Sequence, residues 1–196
     1  MTTHSVATVH SVLFGGSTGN YFNDLQSVIG PHNVTINSIM PIKSITVVHA
    51  GVIDGIKVTY YRGSKKSTTS VNHGLSAESD GEGGLNKKVI PLGDKESIVA
   101  ISGKAGDSEF WGMRVVGLCF TIYDSGTGKM RTTGWIGGQG GTHIKTPTFR
   151  VTANGSFLAL GGYAIDANSS IGTMQDKQED GGLYGLTFID IAYRNV

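Results

Sequence analysis

Between residues 42 and 61 apolar and polar side chains alternate. Ile45 and Val47 alternate with Ser44, Thr46 and Val48, and after a short break Ile56, Val58 and Tyr60 alternate with Lys57 and Thr59. A period of two carried by β-branched and aromatic residues predicts two half-buried strands. The connection, His49-Ala-Gly-Val-Ile-Asp-Gly55, is made of small residues and holds one carboxylate, Asp54. Similar patterning predicts an edge strand over 5–13 and a strand pair over 88–92 and 97–102, joined by the turn Gly93-Asp94-Lys95. A long apolar strand over 113–123 ends at Asp124-Ser-Gly-Thr-Gly128. Short strands over 148–151 and 157–160 flank Asn154-Gly155, a strong hairpin signal. Residues 183–193 close the chain as a strand.

Two polar, glycine-bearing stretches, 62–86 and 163–182, read as expanded loops. No window of a dozen residues carries the i, i+3, i+4, i+7 apolar spacing of an amphipathic helix. The expectation is therefore an all-β chain of ten to twelve strands in one domain over 1–196. Glycine-rich loops at 15–19, within 62–86 and at 134–141 recur about every sixty residues and point to internal pseudo-threefold symmetry. A sandwich, a barrel and a prism of three sheets all remain open on pattern alone.

Composition reinforces the β reading. The 196 residues include 30 glycines but only 4 prolines, about twice the usual glycine share of roughly 7%. With no collagen repeat, that glycine belongs in tight turns. A net charge of +1 leaves no electrostatic footprint for nucleic acid or anionic membrane. The single cysteine, Cys119, excludes an internal disulfide framework and reads as a small buried hydrophobe. No apolar run reaches the roughly 18 residues of a membrane helix. Met1-Thr-Thr-His-Ser-Val shows no basic stretch leading into an apolar one. The expected setting is cytoplasmic or non-classically secreted.

Catalytic material is thin. There is no Gly-x-Ser-x-Gly elbow, and the six histidines are scattered without a His-x-x-x-His or His-Glu pair to hold a metal. No catalytic residue, metal or cofactor is expected. Carbohydrate recognition suits the residues better. A hexose needs a carboxylate to accept hydroxyl hydrogen bonds and backbone N–H donors from a loop free of bulky side chains. An aromatic ring often stacks on the sugar's apolar face. Acid, glycine loops, Tyr and Trp are all present.

Five stretches carry a family resemblance. Phe14-Gly-Gly-Ser-Thr-Gly-Asn-Tyr-Phe-Asn-Asp24 resembles the Trp-Gly-Gly-x-Gly-Gly-x-x-Trp-Asp-Asp opening of the jacalin-related lectins. Residues 42–61 resemble the family's Ile-Arg-x-Ile-x-Ile-x-x-Gly-x-x-Ile-Asp-x-Ile-x-Val-x-Tyr stretch nearly throughout. Gly126-Thr-Gly-Lys, with Gly134-Trp-Ile-Gly-Gly-Gln-Gly-Gly-Thr142, is similar to a third family segment, and 157–162 and 186–193 to its last two strands. The resemblance spans about 14–193 and is nearest the mannose-binding branch. It implies a β-prism of three four-stranded Greek-key sheets that holds sugar between a glycine loop and a Gly-x-x-x-Asp loop before the final strand.

Carried over, the family pattern places the backbone donor at Gly19. Register with the last strand places Tyr184, Gly185, Leu186 and Thr187 in the sugar loop, with Thr187 at the acid position. Asp180 or Asp166 of the 163–182 insertion would then have to supply the acid, or the site is altered or lost. A second site, on the first repeat, is implied by Ala50-Gly-Val-Ile-Asp54, with Gly83 and Gly84 as its partner glycine loop; a turn acid within the scaffold is the alternative role for Asp54. The implied function is lectin binding of mannose- or glucose-type glycans, with galactose left open and multivalency through a homo-oligomer. The alternative is a structural or protein-partner-binding prism with degenerate sugar sites.

Overall fold

The computed structural model describes residues 4–29, 40–63, 67–77, 85–108, 111–138, 146–166 and 181–195. The predicted pair at 42–61 forms β4 (Ile42–His49) and β5 (Ile53–Arg62). Their register pairs Ile45 with Val58 and Val47 with Ile56. These four side chains and Tyr60 are fully buried, so the period of two delivers one face to the core. β6 (Ser67–Gly74) and β7 (Asn86–Pro91) complete the sheet in the order β6-β5-β4-β7.

The other two sheets repeat that plan. β8 (Glu96–Asp107), β9 (Met113–Asp124), β10 (Lys129–Thr132) and β12 (Thr148–Thr152) run in the order β10-β9-β8-β12, with β11 (Ile136–Gly137) also on β9. The third sheet joins the two ends of the chain. β1 (His4–His10), β14 (Gly182–Asn195), β13 (Ala159–Ile165) and β3 (Asn20–Asn23) lie in that order, with β2 (Phe14–Gly15) also on β14. Counted from β4, β8 and β13, each path reads third-second-first-fourth, the Greek-key order. The second strands, β5, β9 and β14, contact one another around the axis of the prism. The expected prism of three four-stranded sheets is the observed fold. One short helix, α1 (Asp24–Ile29), follows β3.

Three local expectations are corrected. Residues 67–74, read as part of a loop, form β6; on this edge strand only His73 and Gly74 are buried, so the sequence Ser-Thr-Thr-Ser-Val-Asn-His-Gly carries little apolar signal. Strands 88–92 and 97–102 are not partners: β7 pairs with β4 and β8 with β9, so Gly93-Asp94-Lys95 carries the chain between sheets. The Asn154-Gly155 turn likewise joins two sheets, β12 pairing with β8 and β13 with β14. Through this crossing Ala153 and Phe157 donate to Val99 and Ile98 of one sheet, while Leu158 donates to Ile189 of the other. A turn signal fixes a change of direction, not the strand on the far side.

The core sits between the sheets. Phe120, Phe157, Phe188 and Tyr60 are its largest enclosed side chains. Phe14, at the family's Trp position, stacks on Phe149 with ring centroids 3.9 Å apart.

Candidate functional site

One end of the prism collects the starts of β5, β9 and β14, together with the glycine loop after β2. Gly15 pairs with Gly185, and Gly16 donates its N–H to the Tyr184 carbonyl at 2.8 Å. Gly19 has φ of +92°, and a Cβ there would run into the Ala164 carbonyl and stand 2.9 Å from the Ile165 side chain. Only glycine allows this approach of loop to strand. The approach places Gly19 against the end of β13, one residue short of Asp166.

Asp166 is exposed, and its Oδ1 accepts the Gly74 N–H at 2.7 Å. This bond links the sheet of β13 to the sheet of β6. On the neighbouring strand face, half-exposed Tyr21 meets Tyr163 edge-on at 5.5 Å, and its hydroxyl accepts from Asn23.

Deeper at the same end two sequence candidates, Asp54 and Tyr184, lie in a polar cluster with Arg114, which the sequence did not single out. Asp54 is the second residue of β5 and Arg114 the second of β9; Tyr184 is the third of β14. The three central strands thus contribute an acid, a base and an aromatic from near their starts. The guanidinium of Arg114 lies 3.8 Å from the Tyr184 ring centroid, donates to the Tyr184 hydroxyl at 3.0 Å and packs on the backbone of Gly182. A further bond runs from its Nε to the Trp111 carbonyl at 3.3 Å. The available signal was a lone arginine heading an otherwise apolar strand.

Asp54 faces inward. Its Oδ2 is enclosed without a hydrogen-bond partner, while its carbonyl accepts from Leu75 at 2.9 Å. Burial raises its pKa to about 6, against the opposing pull of the Arg114 charge and a hydrogen bond from the Ala50 backbone. Between pH 3.8 and about 6 the folded chain holds a proton that the unfolded chain has released. Stability therefore falls as pH rises through that window, by an amount on the order of 3 kcal/mol. Asp54→Asn abolishes this titration. Urea midpoints at pH 4.5 and pH 7.5 should lie closer together in the variant than in the wild type; an unchanged gap would assign the slope to another group.

The structure sorts the remaining candidates. Tyr184 is buried beneath Arg114 and offers its carbonyl, not its ring, to the glycine loop. Gly185 pairs with Gly15 and Tyr163 within the sheet. Thr187 pairs with Gly161, its Oγ1 enclosed without a partner. The expected sugar loop at 184–187 is therefore strand, because β14 already begins at Gly182. Gly83, Gly84 and Asp180 lie outside the described residues.

A family model described as "Jacalin-like lectin domain" matches residues 11–174. No curated protein sequence matches the chain significantly. Among solved structures, wild-type Malaysian banana lectin superposes with a TM-score of 0.61 at 15% identity, covering 97% of this chain and 100% of that one. A mannose-binding jacalin-related lectin from Ananas comosus gives 0.58 at 18% identity, with 96% and 99% covered. A mannose-specific jacalin-related lectin from Morus nigra, solved with mannose, gives 0.59 at 19% identity, with 93% of each chain covered. At these identities the likeness is one of fold.

Proposed function

The chain belongs to the jacalin-like lectin domain family, and from that premise we propose that it binds mannose- or glucose-type glycans at the loop-bearing end of the prism. The observation that carries this reading is the exposed carboxylate of Asp166 beside the Gly19 turn. Its Oδ1 is anchored on the Gly74 N–H at 2.7 Å, and in this reading Oδ2 meets the sugar. A carboxylate accepting sugar hydroxyls next to a side-chain-free backbone is the chemistry a hexose requires. Tyr21 and Tyr163 offer an aromatic flank. In this reading Asp166 takes the place of the acid that the family pattern would have put at Thr187. No catalytic step is assigned.

The site is shallow, so one sugar should bind with Kd on the order of 1 mM, about −4 kcal/mol. Useful avidity then requires several sites presented together, and the proposal extends to a homo-oligomer. The inward turn of Asp54 toward Arg114 favours a structural role for the first-repeat acid, and with it a single sugar site per chain in this region.

Calorimetric titration with methyl α-mannoside and methyl α-glucoside tests the reading. Asp166→Ala should weaken binding at least tenfold, roughly the 1.4 kcal/mol of one charge-assisted hydrogen bond. Asp54→Asn should leave it within twofold. Loss in Asp54→Asn alone would move the site to the first repeat. Absence of binding to any glycan by the wild type would leave the partner-binding prism as the better reading.

A further inference from the structure

The β8–β9–β11 sheet carries a hollow of about 280 Å³ lined by Lys104, Gly117, Trp135, Gly137 and Gly138. Its floor is backbone. Gly117 pairs with both Lys104 and Gly137, so three adjacent strands meet there with two glycines side by side. Gly137 has φ of +72°, and a Cβ on it would stand 2.7 Å from Ile53 Cδ1. Glycine at 137 thus keeps this turn seated against the core. One wall is Trp135, half exposed at 50%. Above its ring stands the Lys104 ammonium, 5.7 Å from the centroid.

Each wall narrows the ligand. An exposed indole face beside bare backbone accepts a flat apolar surface, such as the C–H face of a pyranose. The volume is on the scale of one such ring, near the low end of ligand pockets, which run from roughly 300 Å³ upward. Among the described residues no carboxylate is hydrogen-bonded or ion-paired to Lys104. Arg150 is exposed on the same face, because it pairs with Ser102, two residues before Lys104 on β8. One cation in the lining, a second exposed on the same face, and no acid in the lining select a negative ligand.

We propose that this hollow is a second saccharide subsite, for an acidic pyranose such as a hexuronate. The C–H face would lie on Trp135 and the carboxylate would meet Lys104, with Arg150 adding to the field. The choice of a saccharide over other flat anions rests on the lectin reading above; the position and the charge preference rest on the hollow itself.

The test uses methyl β-glucuronide, methyl β-glucoside and methyl α-mannoside as separate probes, followed by chemical shifts of the indole N–H groups. The chain has two tryptophans, and Trp135→Phe identifies the Trp135 signal. Glucuronide should move that signal and bind at least fivefold more tightly than the neutral glucoside. Lys104→Gln should erase the preference, and Trp135→Ala should weaken glucuronide at least tenfold while mannoside binding persists. Lys104 lies on the surface of a paired strand, so Lys104→Gln keeps the test valid even if Trp135→Ala disturbs the fold. Mannoside binding without any glucuronide response would overturn the subsite and leave the lectin reading standing. Equal binding of glucuronide and glucoside, or loss of mannoside and glucuronide together in Lys104→Gln, would overturn it as well. Failure of all three sugars would overturn both readings.

Discussion

Asp24→Ala should lower the unfolding free energy by about 3–5 kcal/mol, the usual cost of removing one partner from a buried charged network. Asp24 is fully buried at the start of α1. Its Oδ2 accepts the Tyr60 hydroxyl at 2.5 Å and its Oδ1 meets His73 Nε2 at 2.6 Å. Tyr60 in turn accepts the Leu160 N–H at 3.2 Å, and His73 stacks on Phe22 at 3.6 Å. The network therefore joins β3, α1 and β13 of one sheet layer to β5 and β6 of another. Burial, and then the Asp24 charge, drive the Tyr60 pKa well upward, so Tyr60 stays protonated and donates. Removing the carboxylate strands that hydroxyl and the imidazole in a dry interior.

Denaturant titration of Asp24→Ala, Tyr60→Phe and the double variant measures the coupling. Tyr60→Phe alone should cost about 1–3 kcal/mol, and the double variant should cost clearly less than the sum. A loss below about 1 kcal/mol in Asp24→Ala would place the joint between sheets in apolar packing alone.

Arg114→Met should destabilise the chain by about 3 kcal/mol at pH 8 and by markedly less at pH 4.5. Arg114 is 4% exposed and supplies the charge that partly offsets the burial of Asp54. Without it the Asp54 pKa rises beyond about 6. The ionised form then becomes the costly one, so the deficit grows with pH and is smallest where Asp54 is already protonated. The loss of contact with the Tyr184 ring and hydroxyl is common to both pH values. Adding Asp54→Asn to Arg114→Met should recover the pH-dependent part and leave the rest. A deficit equal at both pH values would mean that Asp54 and Arg114 do not interact.

Much of the scaffold was legible because its signals are local. Ile45, Val47, Ile56, Val58 and Tyr60 declare a buried face by their spacing, and all five are fully buried. The motif at 14–24 and the stretch at 42–61 carried the family resemblance that the matching domain model supports. β6 was hidden because Ser67–Gly74 lies at a sheet edge, where pairing comes from backbone groups and few side chains need be apolar. The inward turn of Asp54 was hidden because its neighbours in sequence are ordinary turn residues. Its charge partner, Arg114, lies sixty residues away, and Arg114 attracts no notice until β5 and β9 are seen as equivalent strands.

The sequence by itself determined that this chain is all β, where most strands run and where glycine lets the backbone turn. Those properties depend on side-chain alternation and backbone freedom within a few residues. Only the tertiary structure decided that β7 joins β4 and not β8, and that β13 joins β14 and not β12. It also decided which acids turn inward, Asp24 toward Tyr60 and His73 and Asp54 toward Arg114, and which one, Asp166, remains at the surface beside Gly19. The physical reason is that a carboxylate's role is set by the charges and donors that folding brings to it from distant strands, and no local pattern encodes that meeting.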